Sequence, residues 1–178
     1  MGNQIINRML KLKSRPMMNE VSSENFELVE EKVRDIEEGE ILVKNLYLSF
    51  DPTQRGWLND VPSYIPPVQI GEVMRAGSVG KVIESKNQNF SEDDIVQGSF
   101  GWQEYAISGE GSGFMPPQKL PEGISPTSAL SIYGITGLTA YFGMLDIGKP
   151  EQNDTVLVSG AAGATGSVAG QIAKIKGA

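Results

Sequence analysis

Residues 154–178, Asp-Thr-Val-Leu-Val-Ser-Gly-Ala-Ala-Gly-Ala-Thr-Gly-Ser-Val-Ala-Gly-Gln-Ile-Ala-Lys-Ile-Lys-Gly-Ala, constrain the fold more than any other stretch of this chain. Thr155 to Ser159 is a short, mostly β-branched apolar run, the pattern of a strand covered on both faces. Gly160, Gly163 and Gly166 then fall at steps of three, and Val168, Ala169, Ile172, Ala173 and Ile175 follow at helical spacing. The spacing predicts a buried strand, a glycine turn and a helix.

Such a turn brings backbone close to a bound pyrophosphate, whose charge meets the free N–H groups and positive dipole end of the helix. Gly170, one turn into the helix, is expected to permit close helix–strand packing. A dinucleotide is the expected ligand; the competing reading is a tight strand–helix turn whose small residues serve packing alone. A phosphate loop of the NTPase kind is excluded, because Ser167 and Val168 follow Gly166 where Lys and Ser or Thr would be needed.

The preceding residues have another rhythm. Residues 1–25 are expected to form a first strand and loop, with alternation over Asn7 to Lys13 and a turn at Ser14-Arg-Pro. Alternating or apolar runs recur at Phe26 to Val33, Ile41 to Phe50, Gly77 to Ser85, from Ile95, and over Phe100 to Ile107. The three prolines between Pro62 and Ile70 mark that segment as loop or edge. Short strands at this spacing, broken by Gly and Pro, suggest a small antiparallel barrel.

The pattern changes after Pro121-Glu-Gly. Ser125 is placed as an N-cap with Pro126 at the first helical position, starting a short amphipathic helix that Gly134 and Gly137 interrupt. A second helix is expected over Leu138 to Leu145. The domain boundary falls between residues 122 and 128, giving a β domain over 1–125 and, over 126–178, linking helices and the start of a Rossmann domain.

Net charge is −7, which argues against nucleic acid or an anionic membrane as partner. There are no cysteines and no histidines, so disulfides, thiol nucleophiles, imidazole bases and the usual zinc ligand sets are excluded from this chain, and no metal is expected. No 18-residue apolar run and no signal-peptide core is present, which makes a cytoplasmic protein the default. A Rossmann sheet needs several parallel strands, and the chain offers one strand and one helix. The expectation is an N-terminal fragment of a longer protein, carrying a cofactor motif without a finished cofactor site.

The order of a β domain, two linking helices and only then a nucleotide-binding unit resembles the medium-chain dehydrogenase/reductase superfamily. The resemblance rests on Asn45-Leu-Tyr-Leu-Ser-Phe-Asp-Pro-Thr-Gln-Arg55, on Gly134-Ile-Thr-Gly-Leu-Thr-Ala-Tyr-Phe-Gly-Met-Leu145, and on Val158 to Gly177. These motifs resemble the zinc-independent branch that holds prostaglandin reductases, leukotriene B4 12-hydroxydehydrogenase and curcumin reductase. The resemblance implies a GroES-like β barrel followed by a truncated Rossmann unit. It also implies NADPH-dependent reduction of a carbon–carbon double bond conjugated to a carbonyl, with a small enone or enal as substrate. A homodimer or other self-association is expected from the strand at Thr155 to Ser159, whose backbone and apolar faces another chain would have to cover. The alternatives are a quinone or enoyl reductase of the same superfamily, or a non-catalytic module that associates through its exposed strand.

Carried over residue by residue, Ala162, Gly163, Ala164, Thr165 and Gly166 match the phosphate-facing turn, and Thr139 a position beside the nicotinamide half. For Thr139 the competing reading is a hydroxyl bonded to its own helix backbone. Tyr64 stands where relatives place an aromatic near the substrate, the competing reading being a loop tyrosine packed on proline. Relatives commonly carry Asp-Pro-Tyr-Met-Arg where this chain has Asp51-Pro52-Thr53-Gln54-Arg55. Thr53 thus replaces a cleft tyrosine and implies a wider or more polar pocket. Asp51 and Arg55 are expected to be structural, as an ion or cap pair. In Ile135-Thr136-Gly137 a proline of the relatives is missing, which is expected to loosen the turn between the helices.

Overall fold

The computed structural model describes residues 4–16 and 20–178. Parts of the expected first strand and loop, residues 1–3 and 17–19, lie outside the described residues. Two compact units divide between Glu122 and Gly123.

The first unit is antiparallel throughout. Strand β1 (Ile6–Leu12) pairs with β2 (Phe26–Lys32), Leu10 facing Leu28, to form a two-stranded ribbon. The other strands are β3 (Glu40–Leu48), β4 (Ser78–Ser85), β5 (Ile95–Gly98), β6 (Tyr105–Gly109) and the two-residue β7 (Gln118–Lys119). They form a second sheet in the order β6-β3-β4-β5-β7. A short helix α1 (Thr53–Trp57) follows the Asp51-Pro52 that ends the β3 run.

Ribbon and sheet are joined along residues 101–104. Leu10 N–H donates to Trp102 O at 2.9 Å and Glu104 N–H to Arg8 O at 3.0 Å, while Arg8 and Glu104 form an ion pair. Buried Asn7 adds side-chain bonds, donating to Gln103 Oε1 at 2.9 Å and accepting from Tyr105 N–H at 3.0 Å. The expected strand over Phe100 to Ile107 therefore starts only at Tyr105. Gly101 adopts φ +73°, and Asn45 Nδ2 of β3 donates to Gly101 O and Gln103 O, which bends the chain ahead of the ladder.

Period-2 patterning produces the core. Ile41 and Val43 from β3, Val82 from β4, Val96 from β5, Ala106 from β6 and Phe100 form one buried cluster. A second cluster gathers Leu12, Leu58, Val68 and Met74, with Phe26, Trp57 and Trp102 packed against it. It is this cluster that seats α1. Gly80 is required in β4, since a Cβ there would lie 2.3 Å from Val43 Cγ1.

The second unit is helical. Ser125 caps α2 (Pro126–Ala129), its hydroxyl accepting from Ser128 N–H at 3.2 Å. Helix α3 runs Ile135–Phe142 and continues as a π-helical turn over Gly143–Gly148. The expected break at Gly134 and Gly137 is thus relocated. Gly134 is the N-cap of α3, and Gly137 sits inside the helix, where a Cβ would fall 1.8 Å from Ile132 O. Gly137 answers a backbone crossing, not a helix end. Helix α4 (Ala164–Lys176) packs on α3 and closes at Gly177, whose φ of +87° makes the usual left-handed stop.

The strand expected at Thr155 to Ser159 is corrected. Residues 155–158 form no ladder with any described strand, and Leu157 is 95% exposed. An apolar β-branched run encodes a buried parallel strand only if neighbouring strands satisfy its backbone and cover its faces, and no described strand does so. For the same reason Gly170 meets nothing: a Cβ there has no atom within 4 Å, so the close helix–strand packing expected at that glycine is absent.

Candidate functional site

The cofactor candidates lie in the second unit and the substrate candidates in the first. The turn before α4 is a closed loop of backbone. Gly160 adopts φ +61° and its carbonyl accepts from Gly163 N–H at 2.8 Å. Gly166 passes directly over that carbonyl, so a Cβ there would sit 2.3 Å from Gly160 O. The step-of-three glycines thus have unequal jobs: Gly160 supplies the left-handed residue, Gly166 the close approach, and Gly163 the N-cap.

The first backbone bond into α4 is Ser167 N–H to Gly163 O at 2.9 Å. The amides of Ala164, Thr165 and Gly166 precede it, and these are the donors a helix leaves without an internal acceptor. Ala162, Gly163 and Ala164 are exposed, and Thr165 and Gly166 are half-buried. No acidic residue stands in the first turn, whereas Lys174 and Lys176 occupy the last, where they complement the helix dipole. The turn therefore leaves N–H donors without an internal acceptor, and no carboxylate, at a positive helix end, which fits a phosphate-bearing group.

Thr139 lies on α3, in the same unit. Its hydroxyl donates to Ile135 O at 2.7 Å, so the local backbone bond is made and its oxygen keeps only acceptor capacity. In the first unit Thr53 opens α1 and is exposed. Tyr64 is 66% exposed and accepts a 3.1 Å bond from Trp57 Nε1 at the end of α1. Its own proton remains available.

Asp51 holds the turn before α1, its carboxylate accepting from Ser49 Oγ at 2.7 Å and its carbonyl from Gln54 N–H at 3.0 Å. Arg55 donates to Asn59 Oδ1 at 2.8 Å. Both side chains organise the loop around the buried Gln54, whose amide donates to Ser49 O at 2.8 Å.

Two residues escaped the sequence reading. The Arg75 guanidinium lies over the Trp57 ring at 5.3 Å and donates to Pro66 O at 3.0 Å. Trp57 thus links Tyr64 and Arg75. No local signal marks this pairing, because the partners are brought together by the second core cluster across the proline-rich loop.

Residues 8–116 match the family described as the N-terminal domain of oxidoreductase. The NADPH-dependent curcumin reductase of Escherichia coli is 43% identical over 171 residues, 96% of this chain and 48% of that protein. Prostaglandin reductase 1 of Mus musculus is 41% identical over 154 residues, 86% of this chain and 44% of that protein. Among solved structures, CurA from Vibrio vulnificus in complex with NADPH superposes with a TM-score of 0.85 at 42% identity, covering 96% of this chain and 49% of that one. The chain spans about half the length of the relatives it matches.

Proposed function

Because this chain belongs to the zinc-independent medium-chain dehydrogenase/reductase superfamily, of which it carries the N-terminal part, we propose that it serves an NADPH-dependent oxidoreductase. The reaction we assign is reduction of the carbon–carbon double bond of α,β-unsaturated ketones or aldehydes, in the cytoplasm. The observation that carries the reading is the glycine turn at the head of α4, with three amides lacking an internal acceptor and no carboxylate in the first turn, in a chain so similar to an NADPH-dependent reductase.

In this reading residues 1–125 form the substrate side and 126–178 begin the NADP-binding domain. The amides of Ala164, Thr165 and Gly166, with Ala162 and Gly163 leading the chain past them, would hold the pyrophosphate. When bound, NADPH supplies the hydride for the β-carbon. Thr139 would offer its acceptor oxygen to the nicotinamide half. Tyr64, bonded to Trp57, and Thr53 are the candidates to line the substrate pocket on the side of the first unit.

The test follows nicotinamide absorbance with a panel of enones, enals and quinones. It uses the chain alone and the chain joined to the C-terminal half of the E. coli reductase. Enone-dependent loss of NADPH by the joined protein, with little or none by the chain alone, is the expected result. A flat trace across the panel, from a joined protein that melts cooperatively, refutes it; faster turnover of quinones moves the assignment to a quinone reductase.

The unpaired segment at 155–158, with Leu157 95% exposed, supports a second reading. In it the chain self-associates through this segment, as an extended run with free backbone and an apolar face recruits another strand. Light scattering showing a monodisperse monomer, together with slow amide exchange over 155–158, refutes it.

A further inference from the structure

Residues 59–67 of the first unit form a surface loop whose two ends are held side by side. Leu58, which closes α1, and Val68 are both buried in the second core cluster, and Val68 N–H donates to Trp57 O at 2.9 Å. Residues 60–64 are exposed, and among the described residues no backbone–backbone hydrogen bond involves residues 60–67. A surface loop of this length with adjoining ends is an Ω-loop, whose shape is set by side chains. Tyr64 stands near its middle.

Side chains supply the ties that the backbone lacks. Trp57 Nε1 donates to the Tyr64 hydroxyl, and Arg75 to Pro66 O. Arg15, in the turn after β1, holds the neck: its Nη1 donates at 2.9 Å to Leu58 O and at 2.9 Å to Val68 O, one carbonyl at each end of the loop. The Leu58 carbonyl is among those a helix leaves without an internal donor, at the negative end of its dipole, so a cation there is favoured on both counts. Arg15 is half-buried, and the root of its side chain is fixed by Asn25, whose carbonyl accepts from Lys13 N–H at 2.8 Å and Ser14 N–H at 3.2 Å.

We propose that Arg15 is a positioning residue for the substrate pocket: by clasping both ends of the loop it holds Tyr64 where Trp57 reaches its hydroxyl. The inference rests on the reading in which Tyr64 lines that pocket. Arg15 acts through the loop and not on the substrate. Freeing the neck multiplies the conformations open to Tyr64, and an enone then binds only the fraction of molecules whose loop is in place, so its apparent affinity falls by that fraction.

The test has two readouts. In the 178-residue chain, the Trp57 indole N–H resonance is compared among wild type, Tyr64→Phe, which lacks the acceptor, and Arg15→Met, which keeps an unbranched stem without the donors. Arg15→Met is expected to move the resonance at least halfway toward its position in Tyr64→Phe. In the chain joined to the C-terminal half of the E. coli reductase, Arg15→Met is expected to raise the KM for an enone roughly fivefold or more, the scale of one lost hydrogen bond. There kcat and the KM for NADPH should stay within about twofold of wild type, whereas partial unfolding lowers kcat and leaves both KM values unchanged. An unmoved resonance, or an unchanged enone KM, overturns the proposal. Should Arg15→Met fail to fold, Arg15→Lys decides: its shorter stem and single ammonium are expected to give an intermediate resonance and KM, and wild-type values for both overturn the clasp. The resonance is read without turnover, so it judges the clasp even where the joined protein reduces no enone. An active wild type matched by Arg15→Met in both readouts removes the role of Arg15 and keeps the reduction.

Discussion

Replacing each glycine of the α4 turn by alanine separates backbone crowding from motif membership. At Gly166 the new Cβ would sit 2.3 Å from Gly160 O, 2.9 Å from Gly160 C and 3.0 Å from Ala161 Cα, all backbone atoms that no rotamer change can move. Bringing the closest contact out to an ordinary separation, roughly 3.4 Å, requires the turn to open by about 1 Å. Shifts of that kind cost about 1–3 kcal/mol. At Gly163 the same atom lies 3.1 Å away and φ is −76°, so a displacement of a few tenths of an ångström suffices and the cost stays below about 1 kcal/mol. Gly170 is open and mid-helix, so alanine there stabilises α4 by about 0.5–1 kcal/mol. Urea unfolding followed by far-ultraviolet circular dichroism, with amide exchange over Ser167 to Ala173, reads all three. The order Gly166→Ala, Gly163→Ala, wild type, Gly170→Ala in rising protection is expected. A Gly166→Ala chain as protected as wild type, or a Gly170→Ala chain less protected, refutes the crowding argument.

Truncating Phe100, only 2% exposed between Gly98 and the Ile41 cluster, should cost about 3–5 kcal/mol in chemical denaturation. Arg34 and the Glu37 amide hold the Glu40 carboxyl down at about 2, so its contribution is complete above the ordinary carboxylate range and fades as pH falls toward that value. Since Arg34 is half exposed, Glu40→Gln should lose no more than about 1 kcal/mol at neutral pH. The gap to wild type should close on acidification toward pH 2, as thermal melts across that window will show. Leu157→Asp places a charge on a side chain that is 95% exposed, and should lower the apparent mass in light scattering without moving the melting temperature.

Much of the architecture follows from the order of residues. Alternation fixed β1 and β2, Ser125-Pro126 fixed the start of α2, and the glycine run fixed the turn before α4. These are local: period-2 burial, an N-cap hydroxyl and a positive φ each depend on a few neighbouring residues. The absence of Cys and His removed the usual zinc ligand sets before any coordinate was known.

Non-local packing decided the rest. Composition does not distinguish Gly166 from Gly170, yet one lies against a carbonyl and the other faces open space. Gly137 resembles a helix breaker in sequence and proves to be a crossing point, because Ile132 O occupies the place of its Cβ. The run at 155–158 carries every local mark of a strand, but a strand exists only with neighbours to bond it, and no described strand supplies them. The Trp57–Tyr64–Arg75 grouping is likewise invisible in one dimension. Its members meet because the second core cluster folds the proline-rich loop back over α1, and only that closure places the Arg75 guanidinium over an indole ring.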